Sequence, residues 1–101
     1  MAKRVIWTET AKNARRDILK FWILHNKSNT YSKKLARLFR SKISLIAKSE
    51  YLGKPTDNKN VRVTLVSHFS IFYKVLSDEI NIVGIWDNRR NPDDLHKNLE
   101  L

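Results

Sequence analysis

Apolar and polar side chains alternate with period two over residues 3–8, Val5 and Trp7 to one side and Arg4 and Ile6 to the other, which predicts a short strand. The period then lengthens. Ala11, Ala14, Ile18, Phe21, Trp22 and His25 recur at steps of three and four, one face of a helix over residues 9–25. Thr8 or Thr10 supplies its cap, with Glu9 at the positive end of the dipole. Residues 26–30 carry cap-type side chains and break the pattern. A second helix is predicted over residues 30–48, with Tyr31, Leu35, Leu38, Phe39, Lys42, Leu45 and Ile46 in its stripe and Ile43 beside it. Lys42 is the odd member, its stem lying along the stripe's edge. Two amphipathic helices on a short connection make an antiparallel αα-hairpin.

Residues 49–60, with Gly53, Pro55 and a polar run, read as a loop. Strand patterns follow at 61–66, 69–76 and 80–86, joined by short turns, which gives a three-stranded antiparallel meander. One face (Phe69, Ile71, Tyr73 and Val75 with Ile80, Ile82 and Trp86) is the expected seat of the helices. The other (Ser70, Phe72, Lys74 and Leu76 with Val83 and Ile85) mixes apolar and polar side chains. A sheet solvated on one side would be polar there, so that face is expected to be partly covered or to meet a partner. Arg62, Lys74, Arg89 and Arg90 are expected along its rim. Asn91-Pro92 and then Asp93, Asp94 and Leu95 open a short C-terminal helical turn. The expected fold is α+β and a single domain over residues 1–101.

Composition narrows the function. There is no cysteine, hence no disulfide framework and no thiolate chemistry, as suits a reducing compartment. No apolar run is long enough to span a membrane and the N-terminus lacks a signal-peptide core, so a cytoplasmic protein is expected. The formal net charge is +10, and residues 18–49 hold no acid, only Lys20, Lys27, Lys33, Lys34, Arg37, Arg40, Lys42 and Lys48 among the charges. Such a one-sided field attracts polyanions: DNA, RNA, a ribosome or an acidic protein. No phosphate-binding glycine loop, paired-histidine spacing or nucleophile elbow is present, so no cofactor, metal or triad is expected.

The order of elements and three local motifs resemble the RelE/ParE superfamily of toxins from bacterial toxin–antitoxin pairs. Val5-Ile-Trp-Thr-Glu-Thr-Ala11 looks like the family's opening V-x-W-[ST]-x-x-A. Ser70-Ile-Phe-Tyr-Lys-Val75 is similar to its central strand. Trp86-Asp-Asn-Arg-Arg-Asn-Pro-Asp-Asp-Leu95 looks like the R-R-[DN]-P-x-x-L ending of ParE-like and plasmid-stabilisation members. The resemblance implies a small α+β toxin neutralised by a cognate antitoxin, whose acidic tail would meet Phe72, Val83, Ile85, Arg37 and Arg40.

The superfamily holds two activities. RelE-like members cleave mRNA on the ribosome, which needs a base for the 2′-hydroxyl, a cation for the phosphorane and an acid for the leaving oxygen. ParE-like members inhibit DNA gyrase. Many cleaving members carry an arginine where this chain has Ser70, and some end the last strand in a His-Tyr pair where this chain has Asp87-Asn88-Arg89. The candidates for phosphate or target contact are Arg62, Lys74, Arg89 and Arg90, and for proton transfer His68 or Tyr73. A capping or salt-bridge role with Asp87, Asp93 and Asp94 is the structural alternative for Arg89-Arg90, packing for Tyr73, and solvation in a turn for His68. The expected function is a ParE-like gyrase inhibitor. The alternatives are a RelE-like ribosome-dependent mRNA endoribonuclease and, from another class, a non-toxic basic module that binds nucleic acid.

Overall fold

A computed structural model describes residues 2–58 and 60–89. The predicted C-terminal turn and Arg90 lie outside these. Strand β1 (Arg4–Trp7) leads into helix α1 (Glu9–Asn26), and helix α2 (Thr30–Lys48) returns beside it. Four strands follow: β2 (Lys54–Pro55), β3 (Val61–Val66), β4 (Phe69–Val75) and β5 (Glu79–Asp87). Among the described residues they form one sheet in the order β1-β5-β4-β3-β2, with the predicted meander β3-β4-β5 antiparallel at its centre. Strand β1 completes it by pairing parallel with β5, an arrangement that the intervening hairpin permits.

Local chemistry fixes the helix ends. The Thr8 side chain accepts from the Ala11 N–H at 3.2 Å and so caps α1. At the other end Lys27 turns left-handed, φ 52°, and its N–H returns to the Ile23 carbonyl. Both helices lie on one face of the sheet. There Ala11, Leu35, Phe39, Ile43 and Ile46 meet Phe69, Ile71, Tyr73, Ile80, Ile82 and Ile85, with Val5, Trp7, Leu19 and Trp22 at the margin.

The core departs from the expected stripes in three places. On α2 it is Leu35, Phe39, Ile43 and Ile46 that face inward, while Leu38 and Leu45 stand outside. On α1 Phe21 is exposed. On β5 the alternation breaks: Phe72 pairs with Gly84 and Tyr73 with Ile82, leaving Val83 as an extra residue in a β-bulge. The bulge reverses the expected faces beyond it. Ile85 turns into the helix-side core, and Trp86 joins Phe72 and Val61 in a second, smaller cluster on the opposite face.

Candidate functional site

Residues paired across an antiparallel ladder share a face, so the register assigns each candidate its side of the sheet. Arg62 pairs with Tyr73, and Lys74 with Val61 and Asn81. Arg62 therefore lies on the helix side, and the expected common rim of Arg62 and Lys74 does not exist.

On the helix side these residues serve as fastenings. Tyr73 is fully buried; its hydroxyl donates to the Glu50 carbonyl at 3.0 Å and accepts from the Gly53 N–H at 2.8 Å. The Gly53 carbonyl in turn accepts from Arg62 Nε at 2.9 Å, and the Arg62 guanidinium lies 5.0 Å from the centre of the Tyr51 ring. The loop after α2 is thus tied to β3 and β4. Pinning it brings Lys54 and Pro55 alongside β3 as β2, a strand the loop-like composition concealed. Arg62 also lines a cavity of about 320 Å³ with Thr56, Asn58 and Asn60.

The end of β5 holds a second fastening. Arg89 Nε and Nη2 donate to the two Asp87 carboxylate oxygens at 2.9 and 2.8 Å, and the Arg89 N–H donates to the same carboxylate. The guanidinium carbon stands 5.1 Å from the Trp22 ring centre and 5.9 Å from that of Phe69. The arginine so bridges the sheet end to the foot of α1. Its hydrogen bonds hold the Asp87 carboxyl below the usual carboxylate range, against a smaller opposing effect of burial. The carboxylate correspondingly raises Arg89. His68 is exposed in the two-residue turn before β4, and its carbonyl accepts from the Asn88 N–H. Ser70 is buried and donates to Asn88 Oδ1 at 2.7 Å.

On the opposite face Lys74 is half-buried, and no hydrogen bond or ion pair holds it among the described residues. Its ladder partner Asn81 keeps a buried Oδ1 that has no hydrogen-bond partner among the described residues, an unusual cost for a polar atom. Nothing in the sequence pattern singles out Asn81; its position opposite Lys74 emerges only from the register. Phe72 is buried in the second cluster, and Val83 packs against it half-buried. Ile85, expected beside them, is in the main core. Arg37 and Arg40 are exposed on α2, on the other side of the molecule. No group of three or more metal-ligating side chains exists among the described residues, and no described helix is long and apolar enough to cross a membrane.

The model of the family described as ParE toxin of type II toxin-antitoxin system, parDE, matches residues 5–92. The chain belongs to the ParE toxin family. Its fold agrees: a chain of a structure titled "Chromosomal ParDE TA system from P. aeruginosa" superposes with a TM-score of 0.71, covering 83% of this chain and 94% of that one at 18% identity. No curated protein matches closely enough to argue from. The family match runs from Val5 to beyond the Asp87–Arg89 fastening, and so takes in all but the first residue of the opening strand, both helices and the whole meander of this ParE-family chain.

Proposed function

We propose that this ParE-family chain is the toxin of a toxin–antitoxin pair, that a cognate antitoxin neutralises it in the cytoplasm, and that its target is DNA gyrase. One observation favours gyrase over mRNA: among the described residues, most of the polar groups an RNA-cleaving sheet would use are engaged elsewhere. Tyr73 is buried with both roles of its hydroxyl filled, Arg62 is bonded to the Gly53 carbonyl, Arg89 is paired with Asp87, and Ser70 stands at the arginine position of cleaving relatives. Of the described candidates Lys74 and His68 remain, at opposite ends of the β3–β4 hairpin, where they do not together supply an acid, a base and a charge-stabilising cation at one phosphate.

Lys74, Asn81 and Val83 form the polar and apolar elements of the sheet face away from the helices. A lysine paired across the ladder with an asparagine, neither side chain having a hydrogen-bond partner for its ammonium or amide oxygen among the described residues, suits a partner that brings both a carboxylate and a hydrogen-bond donor. We assign the antitoxin to this face.

Expression of the chain alone is expected to arrest growth, and co-expression of the antitoxin to restore it. Purified toxin is expected to inhibit supercoiling by gyrase, with no codon-positioned cuts in cellular mRNA by primer extension. Such cuts, with gyrase unaffected, would establish the ribosome-dependent endoribonuclease instead.

A further inference from the structure

The outer face of α2 has no place in that reading. Leu35, Phe39, Ile43 and Ile46 define the buried side of the helix. Directly opposite, at three- and four-residue steps, stand Lys33, Arg37, Arg40, Ser44 and Lys48, all exposed. Lys34 and Ser41 flank them. Helix α2 holds no acidic residue. No side chain of these lysines and arginines takes part in a hydrogen bond, ion pair or ring contact among the described residues. The basic side chains that do have partners among the described residues, Lys3, Arg4, Arg15, Arg16, Arg62 and Arg89, all lie outside α2.

We propose that this stripe is a binding surface for the phosphodiester backbone of a nucleic acid duplex, read without regard to base sequence. From Lys33 to Lys48 it runs about 22 Å at 1.5 Å per residue, the axial length of roughly six base pairs. Its cations are long, regularly spaced along one helix and, among the described residues, unpaired, which suits a row of phosphates. The centre of the stripe offers no amide side chain to read an adenine edge and no carboxylate to accept from cytosine. It also offers no apolar anchor: Leu38 and Leu45 stand on one flank, and the middle is Arg37, Arg40 and Ser44. A folded acidic protein would need such an anchor there. The surface is separate from the Lys74 face and does not rest on the choice of target.

The test is fluorescence anisotropy of labelled duplexes, one DNA and one RNA, titrated with the full chain over a series of salt concentrations. One variant carries Lys33→Ala, Arg37→Ala and Arg40→Ala. A second, with the same loss of charge, carries Lys12→Ala, Arg16→Ala and Lys20→Ala on α1. All six positions are exposed, and alanine favours helix, so both variants fold; circular dichroism verifies it. For the wild type, log K is expected to fall linearly with log salt, equally for duplexes of unrelated sequence. The α2 variant is expected to flatten that slope by about 2 to 3, at close to 0.9 per lost phosphate contact. The α1 variant is expected to change it by less than about one. The DNA and RNA arms tell which duplex is preferred. Equal flattening by both variants would mean that only the overall charge acts, and would overturn the proposal. So would tighter binding of a polyglutamate of matched charge than of either duplex.

Discussion

At the scale of single residues, Gly53 and Tyr73 are the pair on which the sheet's attachment to its loop depends. A Cβ on Gly53 would stand 2.6 Å from the Tyr73 hydroxyl oxygen and 2.7 Å from the Val63 carbonyl oxygen. Backbone cannot yield as a flexible side chain does, so Gly53→Ala is expected to destabilise by about 1 to 3 kcal/mol in urea unfolding. Tyr73→Phe keeps the ring's packing and leaves the buried Gly53 N–H without its acceptor, at a similar cost of about 1 to 3 kcal/mol. A wild-type midpoint in either variant would show that the loop is not held there. Asp87 carries a pH dependence. Its folded pKa lies below its ordinary value near 4, so its pairing stabilises above that pH and the gain is lost as pH falls through the folded pKa. Wild type is therefore expected to exceed Asp87→Asn in stability at neutral pH, with the difference closing below pH ~4. Arg89→Ala should abolish that pH-dependent difference, since Arg89 is its main cause. A gap that persists in acid would assign the effect to packing.

At the scale of elements, the Val83 bulge makes the sharpest prediction. Ile82 faces the helices, Val83 is the extra residue, Gly84 pairs with Phe72, and Ile85 returns to the core. Deleting Val83 leaves regular alternation with Ile85 and Trp86 on their present faces. The deletion is expected to fold cooperatively, at a cost of about 1 to 2 kcal/mol for one partly buried valine. Failure to fold would mean that the bulge's twist itself holds the sheet. The same bulge marks where the sequence stopped being readable. Helix α2, both turns of the meander and the Thr8 cap are legible because each follows from local periodicity or cap chemistry. The faces of Ile85 and Trp86 are not, since a bulge shifts parity without leaving a mark in composition. Strand β2 was hidden for a related reason: Lys54 and Pro55 pair only because Tyr73 and Arg62, distant in sequence, fix Gly53. Arg62's side of the sheet depends on register, and register is a long-range property. At the candidate site, the ion pair of Arg89 with Asp87 was foreseeable from adjacency, whereas its stacking on Trp22 required the tertiary fold.

At the scale of the whole molecule, charge opposes compactness. The chain carries a formal charge of +10 within extents of 42 × 32 × 21 Å. At about 0.01 M salt the Debye length is roughly 30 Å, so like charges across most of the molecule repel; at about 0.15 M it is roughly 8 Å, and only near neighbours do. The described ion pairs are few and lie at the surface, with Arg16–Asp17 exposed on both sides and the others on one side or partly buried, and surface pairs contribute little to be lost on screening. Relief of repulsion should therefore outweigh their weakening. Melting in sodium chloride is expected to rise between those concentrations by about 4 to 8 °C for each 1 kcal/mol of repulsion relieved. The Lys33→Ala, Arg37→Ala, Arg40→Ala variant should start higher at low salt and gain less, because acid-free α2 is where repulsion is densest. A melting temperature that falls with salt would mean that attraction between the opposite charges, not the crowding of positive ones, governs this fold.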